Sequence, residues 1–208
     1  MESGKFLTLI KDGICNNWER PALTDYNGET YLYKDFATKM AQLHILFEDM
    51  DVQKGDKIAI CGRNSANWAV AFFASLTYGA VITTILHDFS GESIHSLVNH
   101  SESKVLFADE FVWSKIDPIQ IPTVETILLI DDFSVQKSRS AKLLASCANL
   151  DQALLKKYPN GFTKEDVVVH DESPDELAVL NYTSGTTSNP KGVMVPYRSL
   201  WSNTRFAI

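Results

Sequence analysis

Apolar and polar residues follow one rhythm before Asp56 and another after it. In the first part the spacing is mostly helical. Phe6, Leu9, Ile10 and Ile14 share one side of a helix predicted over 5–18, and Phe36, Met40, Leu43 and Phe47 share one side of a second over 34–50. Between them, runs at 21–24 and 30–33 flank Asn27-Gly28, a pair that supports the primed turns of β-hairpins. His44, inside the second helix, reads as a surface or edge residue. After Asp56, short apolar runs at 58–61, 81–85, 105–108 and 127–130 alternate with helical stripes. One stripe, Trp68, Phe72 and Leu76, follows a capping Ser65, ends at Gly79 and reads as core; another, Ile94, Leu97 and Val98, marks a helix over 91–100. Continuous apolar strands separated by helices predict an α/β fold of βαβ units, with a mainly parallel sheet covered by helices on both faces.

The rest of the chain has a weaker pattern. Residues 131–148, with Lys137-Ser138-Arg139-Ser140, lack a clear period and read as an exposed connection; Leu150, Ala153 and Leu154 predict a short helix after it. Glu165, Asp166, Asp171, Glu172, Asp175 and Glu176 then crowd ahead of an apolar strand at 177–180. Paired carboxylates there suit a metal, but a solvated acidic approach to the strand is the simpler reading.

A net charge of −7 without a basic block argues against nucleic acid as a partner. Cys15, Cys61 and Cys147 lie far apart and match no metal spacing, which fits reduced thiols in a cytoplasmic protein. The first residues lack a secretory apolar region, and no apolar run reaches the ~18 residues that span a bilayer.

The densest chemistry follows the strand at 177–180. Thr183, Ser184, Thr186, Thr187 and Ser188 surround Gly185, and Pro190, Lys191 and Gly192 close the segment before the apolar 193–195. A glycine with free φ exposes successive N–H groups to an anion, the hydroxyls add donors, and Lys191 adds positive charge. That combination suits polyphosphate. A Ser/Thr/Gly linker has similar composition but rarely lies between two strand-like runs. Lys191 follows Gly185 by six residues, but the P-loop pattern fails because Pro190 stands before the lysine where that pattern needs glycine.

Tyr182-Thr-Ser-Gly-Thr-Thr-Ser-Asn-Pro-Lys-Gly-Val193 resembles the phosphate-binding signature of the adenylate-forming (AMP-binding) superfamily, with Ser188 where the family usually has glycine. Asn64-x-x-x-Trp68 leading to Gly79-Ala80-Val81, and the run from Asn99 to Phe107, are similar to earlier segments of that family in the same order. The resemblance covers roughly 20–208 and is strongest toward long-chain fatty acid–CoA ligases. It implies the first subdomain of an adenylate-forming N-terminal domain, with 1–208 as a truncated piece whose C-terminal domain is absent and which does not turn over alone. It implies ATP and Mg²⁺, a carboxylic acid (a fatty acid by preference) activated as its adenylate, and CoA as the thiol acceptor. By the same resemblance Lys191 is the catalytic cation, and Thr183, Ser184, Gly185, Thr186, Thr187, Ser188, Lys191 and Gly192 hold the phosphates, with Gly185 and Gly192 supplying backbone freedom. Residues holding the metal stay unassigned. Self-association of the truncated domain is a further expectation. The competing reading is a free-standing module that holds a nucleotide or phosphate without chemistry.

Overall fold

The computed structural model describes residues 4–26, 28–138, 140–183 and 191–207. Strands β1 (Pro21–Thr24) and β2 (Thr30–Leu32) form an antiparallel pair beside helices α1 (Phe6–Asn16) and α2 (Tyr33–Asp49). The central sheet holds β3 (Lys57–Cys61), β4 (Val81–Ile85), β5 (Val105–Ala108), β6 (Thr126–Leu129), β7 (Val135–Lys137), β8 (Leu177–Thr183) and β9 (Lys191–Pro196). Its order is β7-β6-β5-β3-β4-β8-β9; the five inner strands run parallel, and β7 and β9 pair antiparallel at the two edges.

The unbroken apolar runs are explained by burial on both sides. In β3, Ile58 and Ile60 face a core shared with α2 and with α3 (Ala66–Tyr78). Ala59 and Cys61 face a second core with α4 (Gly91–Ser101) and α5 (Glu110–Trp113). Helix α3 begins and stops where its sequence directs. Ser65 Oγ accepts the Trp68 N–H at 3.0 Å, and Gly79 takes φ +94°, with Leu76 O and Ser75 O accepting its N–H. The side toward the sheet carries Val70, Ala71 and Ala74, whose small volumes let the helix approach closely. Trp68 and Phe72 are half-buried and stack at 5.3 Å on the rim of that core, rather than filling it.

Other expectations are corrected. Strands β1 and β2 pair Thr24 with Thr30, so the five residues 25–29 connect them and no two-residue turn does; Asn27 itself lies outside the described residues. Gly28 N–H donates to Asp25 O at 2.9 Å, while Asp25 Oδ1 accepts the Ala66 N–H at 2.7 Å. The span 131–148 holds β7 and helix α6 (Ala141–Cys147), and α7 (Leu150–Lys157) follows; Arg139 lies outside the described residues. Both new elements are too short to show a period. Helix α6 buries only Leu143 and is tied down through Ser140 Oγ and Ser146 Oγ, which donate to Asp49 O (2.9 Å) and Asp49 Oδ2 (2.5 Å).

His44 is a packed residue, not a surface one. Its Nε2 lies 3.1 Å from Ala74 O and 3.0 Å from Thr77 Oγ1, and its ring sits against Tyr78 and Phe47. A carbonyl only accepts, so Nε2 carries the proton. Burial pushes its pKa down to about 4, against the smaller opposing effect of the Ala74 bond.

Candidate functional site

The carboxyl ends of parallel strands are where α/β sheets place ligands. Thr183, the last residue of β8, lies at that edge and pairs across the ladder with Lys191, the first residue of β9. Both are exposed. Ser184, Gly185, Thr186, Thr187 and Ser188 lie outside the described residues, so the structure places three of the expected contacts: Thr183, Lys191 and Gly192. A hydroxyl and an ammonium therefore flank the polar segment on adjacent strands. Lys191 belongs to a strand rather than the end of a loop, since β9 begins two residues before the apolar run at 193–195.

Gly192 has a different reason for being glycine than backbone freedom. No left-handed φ occurs there. A Cβ on it would sit 3.0 Å from Leu180 Cδ1 and 3.2 Å from Tyr182 Cε1. The Tyr182 ring thus lies over the backbone of its own cross-strand partner, Gly192, and a larger residue there needs the two side chains to give by a few tenths of an ångström.

Residues that the sequence did not assign to the site hold both faces of β8 beneath the polar segment. On one face Tyr182 is 2% exposed, and its hydroxyl lies 2.5 Å from His100 Nδ1 on α4. Burial raises the Tyr182 pKa, so the phenol stays protonated near neutral pH. On the other face Thr84 Oγ1 of β4 donates to Asn181 Oδ1 at 2.8 Å. Strand alternation through Asn181, Tyr182 and Thr183 is the signal that would have extended β8 by three residues past 180. The partners on α4 and β4 are far away in sequence and leave no local trace.

The acidic stretch is largely solvated, as expected, with Glu172 the buried exception among its carboxylates. Asp171 pairs with Lys5 and Asp175 with Arg198. Glu172 is buried, and its Oε1 accepts the Leu7 N–H at 3.0 Å in the first turn of α1. Burial pushes the Glu176 carboxyl up, but the Ser173 N–H, Lys54 and His170 outweigh it and hold the pKa below its usual value. Among the described residues no group of three or more His, Cys, Asp or Glu is placed to hold a metal ion. A polar cleft of about 470 Å³ also opens at the carboxyl ends of β3 and β5, with Arg63 over the Phe111 ring at 4.8 Å.

Burial raises the pKa of all three cysteines: Cys61 to about 12, Cys147 to about 11, and Cys15 to a lesser degree. All three are free thiols. Among the described residues no helix is long and apolar enough to cross a membrane.

Comparison with known proteins bears on the family and the fold. Residues 15–208 match the family described as AMP-binding enzyme. Fatty acyl-CoA synthetase A of Dictyostelium discoideum is 27% identical over 171 residues, covering 82% of this chain and 25% of that protein. 4-Coumarate–CoA ligase 1 of Arabidopsis thaliana is 25% identical over 173 residues, covering 83% of this chain and 29% of that protein. The chain therefore spans between a quarter and a third of the length of these relatives. Among solved structures, a long-chain-fatty-acid–CoA ligase from Archaeoglobus fulgidus superposes with a TM-score of 0.73 at 18% identity, covering 99% of this chain and 39% of that one. ATP-bound MatB from Rhodopseudomonas palustris gives 0.69 at 19% identity, covering 94% of this chain and 36% of that one. The mainly parallel sheet with helices on both faces is the fold they share. With the family match covering all but the first 14 residues, this chain belongs to the AMP-binding, adenylate-forming enzyme family.

Proposed function

We propose that this chain supplies the nucleotide-phosphate-binding portion of a carboxylate-activating ligase. The observation that carries the reading is the pairing of Thr183 with Lys191 at the carboxyl edge of the sheet, on either side of a hydroxyl- and glycine-rich segment. Thr183 and Lys191, with the backbone and hydroxyls of 184–188, hold the β- and γ-phosphates of ATP. The substrate carboxylate oxygen then attacks the α-phosphorus. A new P–O bond forms, the bond to the pyrophosphate oxygen breaks, and pyrophosphate leaves with the electron pair. Such a transfer needs in-line positioning and neutralised phosphate charge more than covalent help. Lys191 supplies part of that charge, and Mg²⁺ bound to the phosphates supplies the rest when present; no residue of this chain is assigned to the metal. In a second step a thiol, CoA in this reading, takes the acyl group and releases AMP.

A fatty acid is the preferred substrate, a choice supported by the names of relatives such as the Dictyostelium synthetase. Because the chain spans a fraction of its relatives, the 208 residues by themselves are proposed to bind Mg-ATP without completing a turnover. Acid-dependent exchange of labelled pyrophosphate into ATP tests both parts. The expectation is exchange with a long-chain fatty acid by any longer protein that contains these residues, and none by the 208-residue chain. Exchange by the 208 residues alone overturns the second part; a longer protein inert to every acid overturns the first.

A further inference from the structure

Strand β9 is an edge strand, so the Thr183–Lys191 pair has ladder support on only one side. Edge ladders fray unless something else holds them. The next rung down, about 3.3 Å along the strand, is Tyr182 opposite Gly192. There the Tyr182 ring covers the Gly192 backbone, and its hydroxyl reaches out of the second core to His100 Nδ1 at 2.5 Å. Ring and hydroxyl together join three elements: β8, β9 and the last turn of α4. The ring edge meets the His100 imidazole near perpendicular, with centroids 5.8 Å apart, so the imidazole is oriented as well as bonded. His100 is exposed, and so is not needed to fill the core.

We infer that His100 is a positioning residue for nucleotide binding: through the Tyr182 hydroxyl it fixes the rung that sets Thr183 and Lys191 opposite each other. It need not touch the nucleotide itself. The inference rests on the proposed function, since it assumes that this pair receives phosphate. A pair held in place before binding loses less freedom when the ligand arrives, so losing the clamp weakens affinity with little effect on folding.

The test is calorimetric titration of Mg-ATP into the full chain and its variants, with thermal melts alongside. His100→Ala and Tyr182→Phe are each expected to weaken binding roughly fivefold, the effect of one neutral hydrogen bond. The double variant is expected to be no weaker than either single one, because both remove the same contact. His100→Asn, whose amide presents a donor and an acceptor near the position of Nδ1, is expected to restore binding to within about twofold. A merely structural role predicts a lowered melting temperature and no rescue by asparagine. If the unaltered chain binds and Lys191→Ala weakens binding, while His100→Ala binds as the unaltered chain does, the inference alone falls. Additive losses in the double variant overturn it too. An unaltered chain that holds no Mg-ATP overturns the inference together with the reading on which it rests.

Discussion

Replacing Gly192 by alanine puts the packing beneath the site to a quantitative test. The new methyl would arrive 3.0 Å from Leu180 Cδ1 and 3.2 Å from Tyr182 Cε1, both inside ordinary contact distance. Two effects oppose each other. Alanine in a strand recovers about 0.5–1 kcal/mol of backbone entropy that glycine forfeits. Overpacking costs about 1–3 kcal/mol where the neighbours cannot yield. Here they yield little. The Tyr182 ring is held by its hydroxyl at His100, and Leu180 packs against the second core. The net expectation is a loss of about 1 kcal/mol, read as a lower urea midpoint at unchanged slope, or a melting temperature lower by about 2–4 °C for a chain of this size. Tyr182→Phe frees the ring, so the cost of Gly192→Ala shrinks in that background. A Gly192→Ala protein more stable than the unaltered chain would refute the reasoning, since it would mean that the tyrosine does not lie over the glycine.

Two further outcomes follow from the core and the surface. His44 has a pKa of about 4 in the fold against 6.5 unfolded, so the unfolded chain binds the extra proton first. Its contribution is intact above pH 6.5 and is lost as the pH falls toward 4, on the order of 2–3 kcal/mol. His44→Gln should flatten that part of the stability-versus-pH curve in urea titrations, and an unchanged slope would contradict the buried neutral imidazole. Val193 and Met194 on the edge strand β9 are 48% and 71% exposed, and Phe206 of α8 (Tyr197–Ala207) is 96% exposed. This apolar surface should drive self-association of the 208-residue chain, visible as a concentration-dependent sedimentation coefficient; a clean monomer at high concentration would count against it.

What the sequence made legible was whatever rests on local pattern. The continuous runs at 58–61, 81–85 and 105–108 reveal strands because both faces are buried, and Ser65 and Gly79 bound α3 by cap chemistry that acts within four residues. Three-residue β7 and α6 with its single buried Leu143 carry too few positions for a period to emerge. His44 was misplaced for a related reason: a histidine in an amphipathic helix looks the same whether or not a neighbouring helix offers Ala74 O and Thr77 Oγ1. At the candidate site, the residue types from Thr183 to Gly192 carry the resemblance on which the phosphate proposal rests. The supports beneath them are not legible, because His100 lies 82 residues from Tyr182 and Thr84 lies 97 from Asn181. The close approach at Gly192 is equally silent in the sequence, since a need for space and a need for backbone freedom leave the same letter there.

Titration of Mg-ATP into the unaltered chain and into Lys191→Ala is the most direct test of the central claim, that the Thr183–Lys191 rung receives nucleotide phosphate. Lys191 is exposed and starts an edge strand, so its truncation spares the core. A charged hydrogen bond of about 1.5–3 kcal/mol predicts binding weakened by roughly 10- to 150-fold, with the fold intact by circular dichroism. Equal affinity in the two proteins would contradict the account.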